Sequence, residues 1–267
     1  MSQNTNKFRG VTLLFLHLKS TTYMFTSKIQ EYLDTQQFTT FAPRAVLFDM
    51  DGVLFDSMPR HAESWSHVCT DFGLPLSREE VFMHEGRTGE ATINLLTQKY
   101  WGRAATAKEA QDIYEAKCVA FNALDEAPKM PGADDVLKCV KEAGLDIYVV
   151  TGSGQLSLLN RLETHFPGYF SPDRVISSKD VKHGKPHPEP YLMALAKAGI
   201  SPWQAIVVEN APLGVQAAHA AQIFTIAVNT GPLPESALLD SGANLLYPSM
   251  TALAEQLPLF LEKRHEQ

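Results

Sequence analysis

Two aspartates one residue apart end an apolar run in "VLFDMDGVLFDS", residues 46–57. Val46, Leu47 and Phe48 read as a strand buried on both faces. Asp49 then falls where burial forbids an uncompensated charge. Alternation along a strand sets Asp49 and Asp51 on one side. Two carboxylates in one place repel unless a cation or a proton compensates them. A carboxylate so placed can attack phosphorus in line and form an aspartyl-phosphate, which water then cleaves. Asp49 is the candidate nucleophile, and Asp51 is placed to act first as general acid and then as general base. Gly52 allows a backbone conformation that a Cβ would hinder. The competing reading is a turn made from Asp and Gly. Asp56 and Ser57 are read as turn residues that bond to local backbone.

Two more stretches suit phosphoryl chemistry. Thr151 ends "DIYVVT", and "GSG" follows at the start of a helical pattern. Free N–H groups there, with the Thr151 hydroxyl and a second one from Ser153, suit a phosphoryl oxygen; the plain alternative is a helix cap. Lys185 lies in "HGKPHP", a loop stiffened by Pro186 and Pro188. A lysine held there neutralises Asp49 and the transferring group, against the alternative of an exposed loop lysine. His183 and His187 flank it and are read as surface or packing residues with no metal role.

These residues need a scaffold. Strand patterns cover Ala45–Phe48, Ile147–Val150, Arg174–Ile176, Ala205–Val208 and Phe224–Val228. Helical patterns at Asp134–Ala143, Leu156–Thr164, Pro188–Ala198 and Leu213–Ala221 separate the later ones. Such alternation indicates right-handed βαβ units and a parallel sheet. Open sheets of this class bind ligands beyond the carboxyl ends of their strands; Asp49, Thr151 and Glu209 each sit at such an end. Residues 58–127 carry only helical patterns, from Pro59 to the linker "APKMPG" at 127–132. The fold class is therefore α/β, a Rossmann-like parallel-sheet core (44–57 and 128–262) with an inserted all-helical cap domain (58–127). Residues 1–43 are expected to be a poorly ordered N-terminal extension.

"DMDGVLFDS", "VVTGSG", "KHGKPHPEPY" and "VVENAPLGVQAA" resemble, in order, the four motifs of the haloacid dehalogenase superfamily. The helical insertion after the first motif resembles the cap of the β-phosphoglucomutase branch. The resemblance covers roughly residues 44–262, and it implies a mobile cap and Mg²⁺ as cofactor. In the fourth motif this chain departs from the family: Glu209 is followed by Asn210, where aspartate is usual. The amide oxygen can still ligate, but one negative charge is lost. "FMHEGRTGE" places Glu85 in what resembles the cap's specificity loop, where an acid aimed at the core can complete the metal site and draw the cap shut; the alternative is a solvated loop acid. The metal ligands implied are Asp49, Asp51, Asn210 and Glu85.

His61 and Trp65 stand at i, i+4 spacing after the first motif and can share a helix face. In the β-phosphoglucomutase branch a histidine at the matching place links cap closure to the catalytic aspartate. Arg87 and Lys117 can hold a second phosphate, with Lys117 as an ordinary surface lysine in the alternative. "ENAPLG" combined with the cap loop resembles inorganic pyrophosphatases of this superfamily, which makes pyrophosphate the expected substrate. The alternatives are a β-phosphoglucomutase or small sugar-phosphate phosphatase, and, more remotely, a non-catalytic phosphate-binding module.

Composition narrows the classes further. The 267 residues carry a net charge of −7 with acids and bases mixed. No basic tract is present, so nucleic acid is not an expected partner. Cys69, Cys118 and Cys139 match no metal spacing and read as reduced thiols of a cytoplasmic protein. "KFRGVTLLFLHLKS" has the basic-then-apolar look of a signal peptide. Its run from Val11 to Leu18 is interrupted by Thr12 and His17, lacks a small-residue cleavage site and is too short to span a bilayer. An extension, or a start at Met24, explains it better. No membrane partner is expected, and the chain reads as a monomer or weak oligomer.

Overall fold

A computed structural model describes residues 21–154 and 158–262. Among these, β1 (Ala45–Phe48), β2 (Asp146–Val150), β3 (Val175–Ile176), β4 (Ala205–Glu209), β5 (Phe224–Val228) and β6 (Leu245–Tyr247) form one parallel sheet. The strand order is β3-β2-β1-β4-β5-β6. β1 is central: Phe48 is in register with Val149 of β2 and with Val208 of β4. The chain reverses its winding between β1 and β4, and ligands of such sheets bind at that crevice. Asp49 follows β1 there. β6 has no counterpart among the sequence-predicted strands. Its three residues are too short for a periodic signal, and it is a strand because β5 supplies its ladder.

Helices cover both faces of the sheet, and a short one, α10 (Glu235–Leu239), lies between β5 and β6. On one side α6 (Ala133–Glu142), α7 (Leu158–His165) and α11 (Met250–Glu262) bury Val136, Leu162 and Leu257 against Val46 and Phe48. On the other, α8 (Glu189–Ala198) and α9 (Pro212–Ala220) enclose Leu47, Tyr191 and Ala217. Residues 156 and 157 of the expected helix at Leu156–Thr164 lie outside the described residues.

The segment 58–127 holds α2 (Met58–Asp71), α3 (Arg78–Met83), α4 (Gly89–Trp101) and α5 (Ala107–Asn122). These helices share a separate apolar cluster containing Val68, Leu74, Ile93 and Ile113. Ser77 with Glu80, and Thr106 with Glu109, form capping boxes that start α3 and α5. We treat 58–127 as the cap and the rest of 44–262 as the core.

The N-terminal segment corrects an expectation. Residues 21–43 are not a loose extension: residues 21–36 are helical (α1), and Phe25, Ile29, Tyr32, Leu33 and Phe41 are buried in the main core. Phe25 meets Phe260 edge-on at 5.3 Å, and Tyr32 meets Phe224 at 5.4 Å. The apolar residues recur at i, i+4, i+7 and i+8, one face of a helix, and that face covers α11 and the end of β5. Phe25→Ala should therefore cost about 3–5 kcal/mol of stability. Chemical denaturation of the variant checks this; an unchanged midpoint would place α1 outside the cooperative core.

Candidate active site

Lys185 organises the carboxyl end of the central strands. Its side chain is 1% exposed, and Nζ donates to Asp49 Oδ1 at 2.5 Å, to Glu209 Oε1 at 2.6 Å and to the Val150 carbonyl at 2.9 Å. The exposed-loop alternative for this lysine is thereby corrected: Pro186 and Pro188 fix a loop that drives the side chain inward. Burial alone lowers an ammonium, but Asp49 and Glu209 outweigh it and hold Lys185 well above its ordinary range. Glu209 is fully committed to the chain. Tyr191 donates its hydroxyl proton to Oε1 at 3.1 Å, and the N–H groups of Asn210 and Ala211 donate to Oε2 at 2.8 and 3.0 Å. It serves as the lysine's anchor and has no bond to spare for a cation.

Asp51 is held from two sides. The Ser57 hydroxyl donates to Asp51 Oδ1 at 2.5 Å, and His61 Nε2 lies 3.3 Å from the same oxygen. Ser57, expected to serve only the turn, therefore orients the second aspartate. Burial would raise Asp51, but His61 and Ser57 outweigh it and keep the carboxyl below its usual range. His61 is lowered by burial and by Lys117. Lys117 Nζ sits 3.0 Å from His61 Nδ1. It donates to that nitrogen, so the network assigns the ring proton to Nε2, facing Asp51. Lys117 is 3% exposed, which corrects the surface-lysine alternative.

The metal expectation can be tested on the donors. Asp49 Oδ2 and Asn210 Oδ1 are buried and without a hydrogen-bond partner. Burial, then Glu209 and Asp51, push Asp49 up to about 7 in spite of Lys185. Burial, then Asp51 and Asp49, hold Glu85 well above the ordinary carboxylate range. Four carboxylates thus crowd one lysine, and two hard oxygens are left over. This donor set fits a Mg²⁺ ion, which takes oxygen ligands and relieves such crowding. Asp49, Asp51 and Asn210 of the core and Glu85 of the cap are the residues that would hold it. Gly52 takes φ +89°, and a Cβ on it would meet Asn210 Nδ2 at 2.1 Å, so only glycine leaves room for this amide.

Above the aspartates lies a cavity of about 60 Å³ between cap and core, whose lining includes Asp51, His61, Trp65, Glu85, Arg87, Lys117 and Ser153. Asp49, Thr151, Lys185 and Asn210 are buried beside it rather than in its wall. The Thr151 hydroxyl accepts the Ser153 N–H at 3.0 Å, the local bond of a capping turn, and keeps its own proton to donate. His84 and Tyr114 also line the cavity; nothing in their spacing singled them out. His183, His187 and Glu189 cluster on the outer side of the lysine loop. The Glu189 carboxylate there accepts the N–H groups of Lys182 and His183 at 2.8 and 3.0 Å, which closes the loop.

Comparison with known proteins agrees with this arrangement. Residues 46–228 match the haloacid dehalogenase-like hydrolase family. Hexitol phosphatase A of Escherichia coli is 31% identical over 186 residues, covering 70% of this chain and 83% of that protein. A phosphorylated carbohydrates phosphatase of Thermotoga maritima is 30% identical over 205 residues, covering 74% and 91%. Among solved structures, the "putative beta-phosphoglucomutase" of Bacteroides vulgatus superposes with a TM-score of 0.88 at 52% identity, over 92% of this chain and 99% of that one. With its family match, its strand order and the end-of-strand cluster around Asp49, the chain belongs to the haloacid dehalogenase-like hydrolases, in their β-phosphoglucomutase-like branch.

Proposed function

We propose that this chain is a Mg²⁺-dependent phosphohydrolase that works through an aspartyl-phosphate on Asp49. Asp49 attacks phosphorus in line, and Lys185 neutralises its charge and that of the transferring group. Asp51, oriented by Ser57 and His61 and held ionised, takes a proton from the water that cleaves the acyl-phosphate. Thr151 and Ser153 bind phosphoryl oxygens. Bound Mg²⁺ would supply positive charge to the phosphoryl oxygens.

The substrate we infer is inorganic pyrophosphate, and one observation carries it. Arg87 and Lys117 line the small cavity, and among the described residues neither belongs to an ion pair; Arg87 Nε is buried with no partner at all. A wall that carries two cations, one with an unpartnered guanidinium N–H, suits a leaving group that is itself an anion. On a scale where one water needs roughly 10–15 Å³, the space is that of a few waters, closer to a phosphate than to a hexose. A second reading has its own support: the named relatives act on hexitol phosphates or phosphorylated carbohydrates, and none of the three proteins compared above is named for pyrophosphate. On the comparisons alone, a sugar-phosphate phosphatase or β-phosphoglucomutase stands ahead.

A substrate panel decides between them. Wild type is assayed on pyrophosphate and on hexose and hexitol phosphates with and without Mg²⁺, beside Glu85→Gln, which keeps size and removes charge. Glu85→Gln should raise the Mg²⁺ requirement and lower pyrophosphate turnover about 10²-fold, with a smaller fall on the sugar phosphates. An equal fall on every substrate would reduce Glu85 to general metal binding. Turnover of sugar phosphates by the wild type with none of pyrophosphate would install the second reading.

A further inference from the structure

The cap meets the core closely at several glycines. A Cβ on Gly152 would meet the Gly86 and Arg87 carbonyls at 2.9 and 3.1 Å, and one on Gly184 would meet Thr88 Cγ2 at 2.7 Å. Both glycines neighbour residues of the site. The third contact does not: a Cβ on Gly231 would meet Phe82 Cδ1 at 2.9 Å and Cε1 at 3.1 Å.

Gly231 belongs to the loop after β5, and that loop is rigid. The Asn229 N–H donates to the Tyr247 carbonyl at 2.8 Å, and Asn229 Nδ2 donates to the Leu233 carbonyl at 2.8 Å. The Thr230 hydroxyl donates to the Gly52 carbonyl at 2.6 Å, which fastens the loop to the turn carrying Asp51. Pro232 and Pro234 fix two further φ angles. On the cap side, Phe82 sits near the end of α3, three residues before Glu85. It is half-buried and packs on the cap's own apolar cluster, so it moves with the cap. A flat ring resting on a bare backbone stops the approach at a fixed distance, and interiors at this density transmit such a displacement.

We infer that Gly231 is the seat on which Phe82 comes to rest, and that this contact sets how far Glu85 reaches into the metal site and therefore how small the closed chamber is. Gly231 is a positioning residue for substrate selection. The inference rests on the reading of Glu85 as a metal ligand given above, and it names the part of the core that gauges the depth of closure. A longer side chain at 231 holds the cap off, weakens the reach of Glu85 and opens room for larger phosphoesters.

The test is a size series, Gly231→Ala and Gly231→Leu, with Phe82→Leu added to Gly231→Ala as relief. Gly231 does not occupy the left-handed region, so alanine fits its backbone; should the leucine variant fail to fold, alanine carries the test. The expected result is a graded weakening of Mg²⁺ binding, read by calorimetric titration without substrate, and a matching rise in the Mg²⁺ concentration for half-maximal activity. Pyrophosphate kcat/KM should fall about tenfold for alanine, relative to that for a sugar phosphate, and return towards wild type in the Phe82→Leu combination. Thermal midpoints should stay near wild type for the alanine variant. If the wild type does not hydrolyse pyrophosphate, the substrate reading fails, and the inference is judged on the Mg²⁺ midpoint with whichever phosphoester is turned over. Folded Gly231→Ala with an unchanged Mg²⁺ midpoint, or a shifted midpoint that Phe82→Leu does not relieve, would overturn it.

Discussion

Asp49→Asn should abolish turnover on every phosphorylated substrate while leaving the protein folded. The substitution keeps the shape of a 2% exposed side chain at the end of the central strand and removes its nucleophilic oxygen and its charge. It also removes one of the two acidic partners of Lys185, but Glu209 and the Val150 carbonyl still hold the ammonium. An amide does not attack phosphorus, and what remains is positioning by Lys185, Thr151 and Asp51. Removing a nucleophile of this kind costs more than about 10⁴-fold in turnover. Phosphate release at saturating Mg²⁺ reads the activity, and a thermal melt reads the fold. Substantial Mg²⁺-dependent activity in a clean preparation would exclude Asp49 as nucleophile. Lost activity together with a collapsed melting transition would make the residue's role structural.

Lys185→Met should lose both activity and stability, and the pairing separates it from Asp49→Asn. Methionine fills the volume but leaves Asp49 and Glu209 as buried carboxylates with no cation, and it strips the Val150 carbonyl of its donor. Breaking a buried ion pair from one side costs about 3–5 kcal/mol. The sign with pH follows from the carboxylates. Burial already raises Asp49 to about 7, and without the lowering effect of Lys185 it lies further still above its unfolded value, so the folded variant takes up a proton there more readily. Its stability is then greatest in acid and is lost as pH rises through the folded values. Denaturation at pH 5.5 and at pH 8 should show a larger deficit against wild type at pH 8. A deficit equal at both would mean that lost packing, not orphaned charge, is responsible. Added Mg²⁺ should recover part of the stability and none of the turnover.

Much of the site was legible because its members stand at the ends of apolar strands. Asp49, Thr151 and Glu209 each follow a run whose burial is unmistakable, and a polar residue at such a place requires a use. The Lys185 loop was legible from its two prolines, and Asn210 from its place after Glu209. The strands β1, β2, β4 and β5 were readable because a strand buried on both faces is a continuous apolar run. β6 was not, since three residues cannot display a period. α1 carried a readable helical stripe in Phe25, Ile29, Tyr32 and Leu33, which the more conspicuous apolar run of residues 11–18 overshadowed.

The sequence by itself placed an aspartate pair, a threonine and a glutamate at the ends of apolar strands, and so on one edge of a parallel sheet. Local order suffices for that, because strand ends and turns are built from neighbours in the chain. The tertiary structure alone decided how these groups are held. Ser57 belongs to Asp51, Glu209 is spent on Lys185 and Tyr191, and Lys117 lies against His61 across 56 positions of sequence. Phe82 rests on Gly231 only because two separately packed units meet there. Contacts of that kind depend on where whole layers come to lie, and no periodicity within one segment records the position of another.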